Sequence, residues 1–451
     1  MSALNFENIY AHRIARIAAA TPMVHIADPA ANLTATRDMA EAAHDAGAAL
    51  LVCPELGLTG YAIDDLLQQD VVLDGAEAAL ASLVEASTEW TPVLAVGLPL
   101  RVEGRLYNVA AVIKGGALLG LVPKTYLPNY REFYERRHFT SGADASADWA
   151  RVGGIEAPFG TDLIFEAEDL PDLKIAVEIC EDVWVPTPPS SAAAMAGACV
   201  IANLSASNVT VGKSDYRHAL CRAQSGRCFA AYIYSAAGQG ESTTDLAWDG
   251  HAMIYENGAL LGETPRFADK PQLLAADVDL DVLRQERLRH GSFADCAAVE
   301  GAGFRTIPFT LNAPDGDLGL RRAVDRFPYV PNDDAKLDEL CFEAYNIQVA
   351  GLVQRLSASG IDKIVIGVSG GLDSTQALLV AAQAMDRLGL PRTHILAYTL
   401  PGFATSTSTK SAAWDLMRSL GVTAEEISID AVSRQTLEDI GHPYADGVND
   451  Y

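Results

Sequence analysis

From residue 13 to about residue 280, short runs of consecutive apolar residues, many of them β-branched, alternate with longer Ala-rich stretches whose polar residues fall on one face. The runs at 13–20, 48–53, 93–98, 109–113, 174–179, 200–204 and 230–235 are short and continuously apolar. That is the signature of strands buried on both faces. The stretches at 32–46, 76–86 and 214–227 read as amphipathic helices between them. Alternation of this kind predicts an α/β domain. In HAMIYENGALLG at 251–262, Asn257-Gly258 separates two apolar segments as a two-residue hairpin turn does. A mixed sheet is therefore expected rather than a purely parallel one.

From Gly301 to Asp334 the periodicity gives way to Pro, Gly and Asp, as in IPFTLNAPDGDLG and FPYVPND, the composition of a connecting segment. Beyond it, Lys336 to Leu356 reads as an amphipathic helix, IVIGV as a buried strand and SGGLDS as a tight loop. Gln376 to Leu388 reads as a helix with Leu378, Ala382 and Met385 on one face. HILAYTL and a helix from Ser408 to Leu420 repeat the strand–helix unit. The expected organisation is a domain over 1–300, a connecting segment over 301–335, and the first part of a second, parallel α/β domain over 336–451. An open parallel sheet needs more strands than this last stretch supplies.

Composition narrows the classes of function. With 59 acidic and 33 basic residues the net charge is −26, so no broad field attracts a nucleic-acid backbone. Any anionic substrate must be held locally, by backbone N–H groups or a few placed cations. The seven cysteines are odd in number and form no CxxC pair, which fits neither a disulfide framework nor a zinc ribbon and points to a reducing cytosol. No apolar run approaches the roughly 18 residues of a membrane span, and the first 20 residues lack a targeting core. None of the nine histidines forms HxH or HExxH, so nothing indicates a metal-centred hydrolase. The expected protein is cytoplasmic, with no membrane or nucleic-acid partner and no tightly bound organic cofactor.

Three ionisable residues each follow a strand-like run: Glu55 in LLVCPELGLTGY, Lys124 in LLGLVPKTYLP and Cys180 in IAVEICEDVW. Strand ends are where an α/β scaffold presents its chemistry. Hydrolysis of an amide by a thiol needs a sulfur nucleophile, a base for its proton, and a cation or N–H donor for the oxyanion. Cys, Glu and Lys can fill those roles. Singly, each has an ordinary structural reading: a buried cysteine as a small hydrophobe, a glutamate after proline as a cap, a lysine as a solvated cation.

The three segments in this order resemble the nitrilase superfamily, whose members carry a Glu-Lys-Cys triad on an αββα sandwich. YREFYERRHF at 130–139 is similar to the superfamily segment that supplies a second glutamate, here Glu135. The resemblance implies Cys180 as nucleophile, Glu55 as general base, Lys124 as transition-state stabiliser, and Glu135 positioning Lys124 or the substrate. A Lys ammonium beside the sulfur is expected to lower the thiol pKa, and burial to raise that of a glutamate. Among nitrilase relatives, PELGLTGY, PKTYLPNYREFYERR, EICEDVW and NLSASNVTVGK are similar to the amidase domain of bacterial glutamine-dependent NAD synthetases. That family pattern implies glutamine as substrate, held by Tyr130, Ser207 and Lys213, with Tyr61 lining the pocket.

SGGLDS, between a buried strand and a helix, lacks the GK[ST] ending of a P-loop. It resembles the pyrophosphate loop of the ATP pyrophosphatases, a doubly wound, Rossmann-like family. By that resemblance Gly367, Val368, Ser369, Gly370, Gly371, Leu372, Asp373 and Ser374 bind ATP, and Asp373 ligates Mg²⁺. YTLPGFATS at 398–406 and the link AYNIQVAGLVQRL at 344–356 match the synthetase family too. The joined resemblance implies that glutamine, ATP and deamido-NAD⁺ give NAD⁺, glutamate, AMP and pyrophosphate, and that the protein is a homo-oligomer. It also implies a synthetase domain that continues past the stretch 441–451, so this chain is expected to be a glutaminase with an incomplete ATP domain. Rival readings are a free-standing ω-amidase or carbamoylase, and a non-catalytic scaffold for oligomer assembly.

Overall fold

The computed structural model describes residues 5–443 apart from 245, 302, 331–332 and 403–404. Part of the YTLPGFATS match and residues 444–451 therefore lie outside the described residues. The chain divides into two compact units, Met1–Val324 and Asp325–Tyr451. Among the described residues no helix is long and apolar enough to cross a membrane.

In chain order the strands of the first unit are β1 (Ile14–Thr21), β2 (Leu50–Val52), β3 (Val93–Val102), β4 (Arg105–Lys114) and β5 (Ala117–Pro123). A small hairpin, β6 (Trp149–Val152) and β7 (Ile155–Pro158), follows. Then come β8 (Leu163–Ala167), β9 (Lys174–Ile179), β10 (Val200–Ser205), β11 (Ala231–Ala236), β12 (Ala252–Glu256), β13 (Ala259–Glu263), β14 (Gln272–Asp279) and β15 (Arg305–Phe309). Two mixed sheets result, one ordered β14-β1-β2-β3-β4-β5 and the other β13-β12-β11-β10-β9-β8-β15. The helices are α1 (Pro29–Asp45), α2 (Asp70–Ala86), α3 (Pro189–Met195), α4 (Lys213–Cys228), α5 (Leu280–Arg289) and α6 (Gly291–Glu300).

The side chains of β1 show why these strands read as unbroken apolar runs. Ala15, Ile17 and Ala19 face the second sheet and pack in one core with Ile175, Val177 and Leu204. Ala18 and Ala20 face the other way, onto Ala40 and Ala43 of α1 and Leu80 and Leu83 of α2. On the far side, Ile201, Tyr232 and Tyr234 pack against Cys221 and Cys228 of α4. Each sheet is covered twice, giving the four layers of an αββα sandwich. At the predicted hairpin, Asn257 (φ 46°) and Gly258 (φ 78°) both take the left-handed conformation that a type I′ turn requires.

The segment expected to be a connector, 301–335, contributes to the first unit up to Val324. β15 pairs in parallel with β8, and Pro308 within it is tolerated because the strand lies at the sheet edge. Beyond it the chain crosses a buried ion pair, Arg16 Nε to Asp277 Oδ1 at 2.7 Å. Arg16 also donates to the carbonyls of Ala46, Leu318 and Gly319 at 2.8, 3.2 and 2.8 Å. The segment is held through its backbone groups, and hydrophobic periodicity does not record them.

In the second unit, β16 (Ile364–Gly367), β17 (Ile395–Thr399) and β18 (Thr423–Glu426) form a parallel sheet in that order. The helices are α7 (Asp334–Ser359), α8 (Leu372–Leu388), α9 (Thr407–Leu420) and α10 (Asp430–Asp439). Leu378, Met385, Ile395, Ala397, Ala413 and Met417 form the core of this Rossmann-like arrangement. α8 starts at Leu372, so Leu372, Asp373 and Ser374 lie in its first turn rather than in the loop that the sequence suggested.

Candidate active site

Glu55 follows β2, Lys124 follows β5, and Cys180 follows β9, so the cluster draws two members from the first sheet and one from the second. The turn that carries Glu55 lies against β3 at Gly97, where a Cβ would come within 2.3 Å of Leu56 N and 2.7 Å of Pro54 O. Only glycine allows that approach. Cys180 opens a 3-10 turn in the left-handed conformation, φ 44°, which costs on the order of 1 kcal/mol or more for a residue with a side chain. Asp182 braces the turn: its Oδ2 accepts the Ile179 N–H at 2.9 Å and its Oδ1 the Tyr126 N–H at 2.8 Å.

Lys124 is fully buried, and its Nζ donates to Glu55 Oε1 and Glu135 Oε1, each at 2.6 Å. The two carboxylates hold its pKa well above the ordinary value despite burial. Glu55 Oε1 also accepts from Asn108 Nδ2 at 2.7 Å, and Oε2 from the Ala206 N–H at 2.8 Å. Glu135 Oε1 takes the Tyr61 hydroxyl at 2.7 Å, while its buried Oε2 has no partner among the described residues. Burial and Glu55 push the Glu135 pKa up against the pull of Lys124.

The thiol runs against the expectation of a lowered pKa. Burial, then Glu55, raise Cys180 well above the usual thiol range, with Glu135 adding to them, and Lys124 offsets only part of this. One ammonium between two carboxylates leaves no surplus positive charge for a thiolate.

Cys180, Tyr130, Ser207 and Lys213 line one cleft of about 1280 Å³. Tyr130 donates its hydroxyl to both oxygens of Glu181, at 2.9 and 3.0 Å. The Ser207 hydroxyl is buried with no partner among the described residues. Lys213 starts α4, reaches Asn208 Oδ1 at 2.6 Å and sits 5.1 Å from the Trp184 ring centroid. Burial lowers its pKa. Tyr61 is placed differently from the expectation: it lines a neighbouring cavity beside Glu135 and is not among the residues lining this cleft. Glu132 also lines the cleft and accepts from Asn208 Nδ2 at 2.9 Å. Sequence reasoning missed Asn108, the Ala206 N–H, Asp182, Glu181 and Glu132. Only Glu181 and Asp182 carried a visible hint, as neighbours of Cys180 in EICEDVW.

In the second unit the loop between β16 and α8 borders a separate cleft of about 740 Å³, lined by Gly367, Val368 and Ser369 with Thr399, Leu400 and Pro401. Gly370 is left-handed at φ 84°, and a Cβ there would meet Thr409 O at 2.2 Å. The Ser374 hydroxyl accepts the Ser369 N–H at 3.1 Å, closing the loop onto the first turn of α8. Asp373, in that turn, is exposed and has no ion-pair partner among the described residues.

The first unit is thus a four-layer αββα sandwich in which a Glu, a Lys and a Cys converge from the ends of facing sheets. The chain belongs to the carbon-nitrogen hydrolase family, whose model matches residues 14–287. The NAD synthase family model matches residues 344–449. Curated relatives called glutamine-dependent NAD(+) synthetase include those of Mycobacterium tuberculosis, 55% identical over 451 residues, and Mycobacterium leprae, 52% identical over 453. Each match covers 99% of this chain, and the chain spans 66% of the length of these relatives. The crystal structure of a glutamine-dependent NAD(+) synthetase from Cytophaga hutchinsonii shares the fold, with a TM-score of 0.53 and 22% identity over 95% of this chain and 67% of that one.

Proposed function

We propose that the first unit hydrolyses the side-chain amide of glutamine through Cys180. The observation that carries this reading is Lys124 Nζ, shared at 2.6 Å between Glu55 and Glu135 and electrostatically coupled to a buried cysteine that lines the cleft. With the thiol pKa held high, the sulfur is not a standing thiolate. Glu55 takes its proton as the sulfur attacks the amide carbon. Oε2 is the oxygen of Glu55 with spare capacity, because Oε1 is engaged by Lys124 and Asn108. Lys124 stabilises the oxyanion, Glu55 returns the proton to the departing ammonia, and a thioester remains on Cys180. Water deprotonated by Glu55 then releases glutamate and restores the thiol. The unpartnered Oε2 of Glu135 accepts an N–H of the substrate amide.

The cleft suits a zwitterion. Lys213 holds the α-carboxylate, Glu181 and Glu132 face the α-ammonium, and Tyr130 and Ser207 supply hydroxyls. Tyr61 acts through Glu135 rather than on glutamine directly. Carboxylates beside a lysine favour glutamine over the anionic amides of an ω-amidase or carbamoylase reading, which carry no α-ammonium.

For the whole protein, whose relatives are called glutamine-dependent NAD(+) synthetases, the proposed reaction is deamido-NAD⁺, glutamine, ATP and water giving NAD⁺, glutamate, AMP and pyrophosphate. Gly367 to Ser374 hold the ATP phosphates, with the open N–H groups at the start of α8 contributing donors. Asp373 fits Mg²⁺, a hard cation that takes carboxylate and phosphate oxygens and offsets the charge of the nucleotide. The deciding experiment measures ammonia release from glutamine, with and without ATP and deamido-NAD⁺, for the wild type and for Cys180→Ala. Ammonia release that persists in the variant would remove the assignment of the nucleophile.

A further inference from the structure

Outside the cleft, three side chains far apart in sequence converge on one point. His218 lies on α4, His251 immediately precedes β12, and Glu263 ends β13. Glu263 Oε2 is 3.1 Å from His251 Nε2 and 3.3 Å from His218 Nε2. One potential ligand atom from each of the three residues lies within 4.8 Å of the others. Ligands at 2.0–2.1 Å around a tetrahedral zinc ion sit roughly 3.3 Å from one another, so both measured edges match such a site. Positions 218, 251 and 263 form none of the short histidine motifs, so the site is invisible to motif reading.

We propose that His218, His251 and Glu263 form a binding site for a divalent first-row transition metal of the Zn²⁺ class. Two imidazoles and a carboxylate are the donor set such ions take. His218 Nδ1 lies 2.6 Å from the Tyr255 hydroxyl, the outward contact that orients a ligating imidazole. His251 is fully buried; its Nε2 faces the Glu263 carboxylate, and its Nδ1, which would carry the ring proton when Nε2 ligates an ion, has no partner among the described residues. The side chains of His218 and Glu263 are 28% and 44% exposed, leaving a path for the ion and for water as a fourth ligand. A metal here would tie α4 to the β12–β13 hairpin. Arg217, next to His218, donates to the carbonyls of Ser207 and Asn208 at 2.8 Å each, so the same helix also holds the wall of the Cys180 cleft.

The alternative is a carboxylate oxygen satisfied by two ring N–H groups, with no affinity for metal. The test uses the full chain, stripped with chelator and titrated with ZnCl₂ by calorimetry and with CoCl₂ by visible spectroscopy. His218→Ala and Glu263→Gln alter the two partly exposed ligands, and the buried histidine is left in place so that folding is preserved. The expected result is one saturable equivalent per chain that both variants weaken by at least about 10-fold. A cobalt spectrum without a thiolate charge-transfer band and a rise in the thermal midpoint with zinc in the wild type only are also expected. No saturable equivalent in the wild type, equal binding by wild type and variants, or a thiolate band from one of the cysteines would each overturn the proposal.

Discussion

Asp182 accepts the backbone N–H of Tyr126 at 2.8 Å, and so ties the turn that presents Cys180 to the loop that follows Lys124. Cys180 and Lys124 follow strands of different sheets, and the Asp182 carboxylate spans the gap between them. Asp182→Asn replaces one acceptor oxygen with an NH₂ that must face a backbone donor. The expected outcome is a fall of about 100-fold in kcat for ammonia release with little change in KM, because a misplacement near 1 Å is enough for that loss. Steady-state kinetics on the folded variant checks it; a variant within a few-fold of wild type would mean that the turn holds without its brace.

Cys180→Ala should release no ammonia above background while keeping the wild-type thermal midpoint. The substitution removes a single buried sulfur from a turn whose other contacts are made by Asp182 and the backbone.

Lys124→Met should cost on the order of 10³ or more in rate, as loss of an oxyanion stabiliser does. It should also destabilise the fold by roughly 3–5 kcal/mol, because two buried carboxylates lose their shared cation. Adding Glu135→Gln should recover part of the stability and none of the activity. Denaturant unfolding with the rate assay separates the two effects; a double variant no more stable than Lys124→Met would mean that charge repulsion is not the cause.

Burial pushes Glu241 from its ordinary 4.5 up to about 7. A carboxyl whose pKa is raised by folding favours the native state below its unfolded pKa and loses that contribution as pH rises through the folded value. The window runs from about 4.5 to about 7, and the full shift corresponds to roughly 3 kcal/mol. The thermal midpoint of the first unit should therefore fall across this range, and Glu241→Gln should flatten the fall. Melting curves at closely spaced pH values decide it; an unchanged slope in the variant would assign the effect elsewhere.

In the second unit, Gly370→Ala places a methyl 2.2 Å from Thr409 O at a left-handed residue, whereas at Gly371 the nearest atom is the Ser369 hydroxyl oxygen at 3.5 Å. Gly370→Ala should lower the melting temperature and abolish binding of Mg-ATP, while Gly371→Ala should leave the melting temperature unchanged. Differential scanning fluorimetry on both variants, with and without Mg-ATP, tests the contrast.

The strands were legible because nearly every residue in β9, β10 and β11 is buried, which compresses each into a run of apolar letters. Glu55, Lys124 and Cys180 were legible because each directly follows such a run. Asn108 and Ala206 were not. They meet Glu55 across 53 and 151 residues, at positions where Asn and Ala are unremarkable for a strand and a loop. The direction of the thiol shift was misread for a related reason: a lysine in the sequence counts as one positive charge, and only the geometry reveals the two carboxylates already sharing it. The segment after Gly301 reads as a connector because Arg16 grips it by backbone carbonyls, which every residue offers whatever its side chain.

The position of β1 also bears on how the protein is made. Its antiparallel partner, β14, lies more than 250 residues later, and the crossing at Leu318 and Gly319 later still. At ribosomal rates of about 5–20 residues per second, roughly 15–60 s pass between synthesis of the first strand and arrival of the last piece that seals it. Until β14 emerges, one edge of β1 is unpaired and Arg16 lacks its buried counter-charge, Asp277. The nascent chain thus carries an unpaired edge at its earliest-made strand, and slow translation through residues 200–280 would lengthen that exposure.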